Sequence, residues 1–147
     1  MPICTMPFLP QCLQTGNTSI CHFYFLFDRY SSGQVCSNGT RVFLHADIHD
    51  AFIKSLLERT SALVKGDPTD VKTHIGPMRT KFHMKRVQEY VRIGKEIDKA
   101  RMVYPPNGKC VSEMNAPFSE GYFMDPVVFT DCTDEMMIVK EEIFGMV

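Results

Sequence analysis

The stretch RVFLHADIHDAFIKSLLERTSALVKG, residues 41–66, decides the fold class, because its hydrophobic period changes partway along. Arg41-Val42-Phe43-Leu44-His45 has the β-branched and aromatic content and the alternation of a short strand. From Asp47 the spacing turns helical. Ile48, Phe52, Leu56 and Leu63, flanked by Ile53, Leu57 and Val64, make one apolar stripe. Asp47 is the expected N-cap, and Asp50 suits the positive end of the helix dipole. Lys65-Gly66 ends the pattern, with Pro68 just beyond.

Downstream the alternation continues. A second helix is expected from near Thr80 to about Lys99, with Met84, Val87, Val91 and Gly94 on one face and the pairs Lys85/Glu89 and Arg92/Glu96 on another. Arg101-Met102-Val103-Tyr104 reads as a strand stopped by Pro105-Pro106, and residues 107–120 read as a polar loop. Another strand is expected within Tyr122 to Thr130, its pairing restricted by Pro126, which has no N–H. Alternating helices and strands predict an α/β architecture with some parallel pairing, undivided by repeats or linkers. Upstream the character differs. The first 27 residues contain no Asp, Glu, Lys or Arg, and they carry Pro2, Pro7, Pro10, Cys4, Cys12, Cys21 and the run Phe23-Tyr24-Phe25-Leu26-Phe27. These first 27 residues are therefore expected to be an irregular, charge-poor head.

The 147 residues suffice for one domain with a core, and 44% hydrophobic with 22% charged residues is an ordinary globular balance. A net charge of −1, from 16 basic and 17 acidic residues, offers no field for nucleic acid or anionic lipid. No apolar run approaches the roughly 20 residues of a membrane helix. The head lacks the basic start of a secretory signal. The expectation is a cytoplasmic protein with six reduced cysteines rather than a disulfide framework, its two Asn-X-Ser/Thr acceptor patterns at Asn17 and Asn38 idle.

Few motifs carry chemistry. There is no GxGxxG, and Gly108-Lys109 lacks the remainder of a P-loop. No CxxC or HExxH is present, so no metal site is expected, and no GxSxG marks a serine nucleophile. Two features remain. Cys36 lies in a polar, Gly-flanked segment, Gly33-Gln34-Val35-Cys36-Ser37-Asn38-Gly39-Thr40-Arg41, where nearby amides could stabilise a thiolate and the oxyanion of an attacked carbonyl. Lys140-Glu141-Glu142-Ile143-Phe144-Gly145 sets carboxylates beside an aromatic and a glycine. On the residues alone, a single cysteine is more often a small buried hydrophobe than a nucleophile, and Glu-Glu is equally a solvated helix end.

Taken together, these features resemble the NAD(P)-dependent aldehyde dehydrogenase superfamily. Gly33-Gln34-Val35-Cys36 looks like the active-site cysteine motif of that family. Gly66-Asp67-Pro68, Ile75-Gly76-Pro77, Gly121-Tyr122-Phe123 with Pro126, and Glu141-Glu142-Ile143-Phe144-Gly145 follow in the family's order and spacing. The string from Cys36 to Phe43, and the run Arg79 to Val91 with His83 and Arg86-Val87, look most like the betaine aldehyde and 4-trimethylaminobutyraldehyde dehydrogenase branch. The resemblance begins at Gly33, which sets residues 1–32 apart as a head from an α/β body of residues 33–147.

The resemblance implies part of a catalytic domain that oxidises an aldehyde, such as a trimethylamino aldehyde, to the acid with NAD, NADP being the alternative. Cys36 would be the nucleophile, forming a thiohemiacetal and then a thioester, with its main-chain amide in the oxyanion hole. Glu142 would hold the nicotinamide ribose, and Phe144 would pack beside the nicotinamide. The family's cofactor domain, general-base glutamate and oxyanion asparagine lie outside the matched stretch, so the chain alone is expected to be inactive. A second reading is a non-catalytic form that docks on full-length subunits. A third is a cofactor-free thiol esterase, with His45 or His49 as base. The other cysteines are read as packing or incidental surface thiols.

Overall fold

The computed structural model describes residues 30–36 and 38–147. The expectations for the head up to residue 29, with Cys4, Cys12 and Cys21, lie outside the described residues. A tight 3-10 turn, Tyr30–Gly33, leads into helix α1 (Ala46–Ser61) and helix α2 (Lys81–Glu96). Strands β1 (Arg101–Tyr104) and β2 (Val128–Thr130) and a four-residue helix, α3 (Met137–Lys140), complete the order. The α/β character holds.

Helix α2 forms where its pattern places it. Thr80 is the N-cap, its hydroxyl oxygen accepting the His83 N–H at 3.1 Å, and Val87, Val91 and Gly94 are buried. It ends at Glu96, short of the expected Lys99. The N–H groups of Ile97 and Asp98 both donate to the Ile93 carbonyl, and Lys99 turns left-handed at φ 57°. On the solvent face Arg92 bridges Glu89 at 2.6 Å and Glu96 at 2.8 Å.

Helix α1 departs further from expectation. Its N-cap is His45 rather than Asp47: the imidazole Nδ1 accepts the Asp47 N–H. Leu63 and Val64 fall beyond its end, because a tertiary contact overrides the period. The Val64 N–H donates to His74 Nδ1, and the Val64 carbonyl accepts from the amides of His74 and Ile75. Only Phe52 and Thr60 of α1 are buried. The strand expected at Arg41–His45 does not form. A strand exists through backbone pairing, and residues 41–45 lie in no ladder with any described segment; Phe43 is 65% exposed.

The expected parallel pairing is corrected as well. β1 and β2 form a two-stranded antiparallel sheet in the register Arg101↔Thr130 and Met102↔Phe129, with an irregularity before Tyr104↔Val128. Parallel pairing is confined, among the described residues, to the isolated bridge Lys65↔Ile75. The stretch Tyr122 to Thr130 is ladder only at its end, because its earlier backbone groups bond to three other segments. The Tyr122 carbonyl accepts from Met78, the Asp125 amide donates to Cys110, and the Val127 amide donates to Met146. Lys65 pins this arrangement, pairing with Asp125 and donating to Ser112 Oγ.

The core gathers on α2. Ile75, Met78, Val87, Met124, Ile138, Ile143 and Met146 form one buried cluster. Helix α3 is held against α2 by Asp98, whose carboxylate oxygens accept the N–H groups of Met137 and Ile138, both at 3.0 Å. That places residues 141–147 over the N-terminal half of α2.

Candidate functional site

The segment before Cys36 is left-handed over three consecutive residues, Ser31 (φ 50°), Ser32 (φ 56°) and Gly33 (φ 72°). Two side chains anchor it. Ser32 Oγ donates to the Gly76 carbonyl at 3.0 Å, and Gln34 Oε1 accepts the Arg79 N–H at 3.0 Å. The Ile75-Gly76-Pro77 landmark is thus the floor on which the cysteine segment rests. Cys36 lies in the following turn, closed by the Asn38 N–H donating to the Val35 carbonyl at 3.1 Å, and its thiol is exposed. The alternative of a cysteine buried as a small hydrophobe is set aside by that exposure.

The second half of the site comes from the segment after α3. Glu141 and Glu142 are exposed, Ile143 is buried and Phe144 is half-buried. Phe144 adopts φ 63°, a conformation that costs a non-glycine residue on the order of 1–3 kcal/mol and persists only where its surroundings hold it. Here His83 holds it. The Phe144 carbonyl can only accept, so His83 Nε2 carries the proton and donates at 2.7 Å. The two rings also meet edge to face, with centroids 5.9 Å apart at 70°. The Met146 carbonyl accepts from Val127, and Gly145 lies so close to Val87 that a Cβ would sit 2.8 Å from both methyls.

The halves cross at two glycines. A Cβ on Gly33 would overlap the carbonyl group of Gly145 and the amide of Met146, so the two backbones are in direct contact and only glycine fits. Cys36 lies three residues from that crossing on one side, and Glu142 three residues on the other. Three residues reach at most about 11 Å. The segments that carry Cys36 and Glu142–Phe144 are therefore in backbone contact with each other, with Cys36 and Glu142 each within about 11 Å of the crossing. An exposed carboxylate can accept from hydroxyl groups, and an aromatic ring offers a flat apolar face.

The other thiols differ. Burial pushes the Cys110 thiol up, and at Cys132 burial is reinforced by the negative charges of Asp131 and Asp98. Both are therefore poor thiolates at neutral pH; Cys110 packs against the core, whereas Cys132 is an exposed surface thiol. All three described cysteines are free. His45 and His49 are engaged on α1 itself, His45 as its cap and His49 with Asp50 at 2.9 Å. Among the described residues no cluster of His, Cys, Asp and Glu could hold a metal, and no helix is long and apolar enough to cross a membrane. A cavity of about 410 Å³ lies between residues 39–44, α1 and β2, but its walls do not include Cys36, Glu142 or Phe144. Sequence reasoning missed the part played by His83, because its contact spans 61 residues and leaves no local pattern.

Known proteins resemble this chain in sequence and fold. The sequence profile of the Aldehyde dehydrogenase family matches residues 27–147. The chain is 50% identical over 118 residues to a betaine aldehyde dehydrogenase of Sinorhizobium fredii, covering 80% of this chain and 23% of that protein. It is 43% identical to a betaine aldehyde dehydrogenase of Brucella anthropi with the same coverage. The fold is similar to that of an aldehyde dehydrogenase from Bacillus cereus solved as an NAD+ complex, with a TM-score of 0.76 and 35% identity over 86% of this chain and 24% of that one. The chain thus spans about a quarter of the length of the curated relatives it matches.

Proposed function

We propose, on the premise that the chain belongs to the aldehyde dehydrogenase family, that it carries the nucleophile and the nicotinamide-side contacts of an enzyme oxidising an aldehyde to a carboxylic acid. The Gly33–Gly145 crossing supports this reading, since it puts the segment leading into Cys36 in backbone contact with the one that follows Phe144. In this reading the Cys36 sulfur attacks the carbonyl carbon. A C–S bond forms, the carbonyl electron pair moves to oxygen, and the Cys36 main-chain N–H stabilises the oxyanion. NAD, when bound, supplies the acceptor for the hydride that leaves this carbon; NADP is the alternative. Water then releases the acid from the thioester on Cys36. Glu142 accepts from the ribose hydroxyls, and Phe144 gives the nicotinamide an apolar wall. Similarity to the two betaine aldehyde dehydrogenases favours a trimethylamino aldehyde as substrate.

Turnover by this chain alone is not expected, because the family's phosphate-binding domain and general base lie in stretches it does not match. The test uses iodoacetamide labelling of the whole chain, read per cysteine by mass spectrometry, with and without betaine aldehyde. Protection of Cys36 by the aldehyde, without effect on Cys110 or Cys132, is the expected result; a Cys36 that labels at the same rate in both would dismiss it as nucleophile. Absorbance of NADH should stay flat when NAD and aldehyde are added, and sustained turnover would overturn the expected inactivity.

One observation favours a second role, association with full-length subunits of the family. Val42, Phe43 and Val64 are exposed apolar residues in the segments flanking α1. Co-purification with such a subunit supports that role, and a monodisperse monomer in its presence counts against it.

A further inference from the structure

We propose that His83 is a positioning residue of the candidate site: from the first turn of α2 it locks Phe144, and through the Gly33–Gly145 crossing it seats the Cys36 turn. The proposal rests on the reading of Cys36 and Phe144 as site residues, and it adds a residue that would touch neither aldehyde nor cofactor.

Three contacts build the device. His83 is fixed by its own backbone, because its N–H is taken by the Thr80 hydroxyl at the start of the helix. Its side chain makes two different contacts with one residue, the Nε2–H bond to the Phe144 carbonyl at 2.7 Å and the edge-to-face ring contact at 5.9 Å. The hydrogen bond fixes the peptide unit between Phe144 and Gly145, whose carbonyl would otherwise be free to rotate with the left-handed Phe144. That peptide leads directly into the Gly145 and Met146 atoms on which Gly33 rests. A hydrogen bond alone would hold the backbone and leave the ring free. A ring contact alone would leave φ free. Together they define both the ring and the backbone of the one aromatic in the proposed cofactor contact, from a helix that is itself part of the core.

The contacts can be separated by substitution. His83→Gln keeps a nitrogen donor the same number of bonds from the backbone and loses the ring, whereas His83→Phe keeps a ring and loses the donor. Two readouts need neither cofactor nor turnover. One is chymotryptic cleavage after Phe144 under native conditions, which requires the 144–145 peptide to open. The other is iodoacetamide labelling of Cys36, with Cys110 and Cys132 as internal controls. In His83→Phe both cleavage after Phe144 and Cys36 labelling should rise about threefold to tenfold, the range expected for one lost hydrogen bond. Cys110 and Cys132 should not change, and His83→Gln should restore Cys36 labelling to within about twofold of the parent chain.

A rise shared by all three cysteines would reduce His83 to a stabiliser of the whole fold and overturn the proposal, as would a Gln variant no better than Phe. Should both variants fail to fold, the long-range proton–nitrogen spectrum of the parent imidazole decides: a proton on Nε2 supports the lock, and one on Nδ1 ends it. Aldehyde protection of Cys36 separates the two ideas. Its absence with the variant pattern intact removes the enzymatic reading alone, and its presence with an unmoved variant pattern removes the role of His83 alone.

Discussion

Helices α1 and α2 are equal in length, 16 residues each, and they are held in opposite ways. α2 buries Val87, Val91 and Gly94 against the 123–146 region and carries the His83 lock on its first turn. α1 buries only Phe52 and Thr60, and its remaining stripe of Ile48, Ile53, Leu56 and Leu57 is half-covered. An amphipathic stripe therefore specifies which face of a helix seeks cover without specifying how much cover it finds. The candidate site straddles this divide. Phe144 belongs to the packed side, whereas Cys36 sits on the segment leading to α1, and Gly33 is the contact that ties it to the packed side.

The largest effect should come from removing one aromatic on each side. Phe123 is 1% exposed within the packed region, and Phe52 is the buried aromatic of α1 at 8%. Phe123→Ala should cost about 4 kcal/mol, and Phe52→Ala about half of that or less, because the surroundings of Phe52 are open enough to relax. Urea unfolding midpoints of the two variants measure the difference. Equal losses would break the comparison, since they would mean that α1 is as firmly packed as α2.

Gly33→Ala is the next largest and tests the tie itself. The substitution forces a Cβ into the Gly145–Met146 backbone at a left-handed position, and the overlap together with the conformational cost should amount to about 3 kcal/mol. Because the contact lies between segments, the loss should appear as detachment: the Cys36 turn separates while the α2 core stays folded. Amide exchange should therefore quicken at residues 32–36 and leave Val87 and Val91 protected. If protection is lost throughout, the cysteine segment is an integral part of the core rather than tied to it, and the comparison must be redrawn.

What could be read in advance follows the same division. α2 and β1 were legible because the Thr80 cap, the Val87/Val91/Gly94 spacing and the Pro105-Pro106 stop are all local signals. The Arg41–His45 stretch forms no strand despite its pattern, because β propensity describes a surface that fits a sheet and does not provide a neighbouring strand. The end of α1 comes earlier than its apolar period suggests because His74, ten residues away, takes the Val64 amide. The antiparallel sense of β1 and β2 was hidden for a related reason, since residues 105–127 between them form loops whose path depends on pairings such as Asp125 with Cys110 and Lys65. At the site, Cys36, Glu142 and Phe144 stand out only as members of a resembling pattern, and the contact of their segments at Gly33 and Gly145 is a tertiary fact that no short window contains.

The smallest expected effect concerns the connection between α1 and the packed region, where Asp67 organises a turn. Its carboxylate accepts the Thr69 N–H at 2.8 Å and the Thr69 hydroxyl at 2.7 Å, and these bonds hold its pKa below the ordinary carboxylate value. A lowered folded-state pKa means that the unfolded chain binds the proton more readily. The contribution is therefore fully present above the ordinary Asp value and is lost as pH falls through the folded one. The side chain is open to water, so the change is local rather than global. Protection of the Thr69 amide against exchange, corrected for the intrinsic rate, should fall on acidification in the parent chain and lose that dependence in Asp67→Asn. The α2 amides should not respond in either chain. A matching acid response on α2 would show that the turn is coupled to the packed region, and α1 would then be more firmly joined to it than its burial indicates.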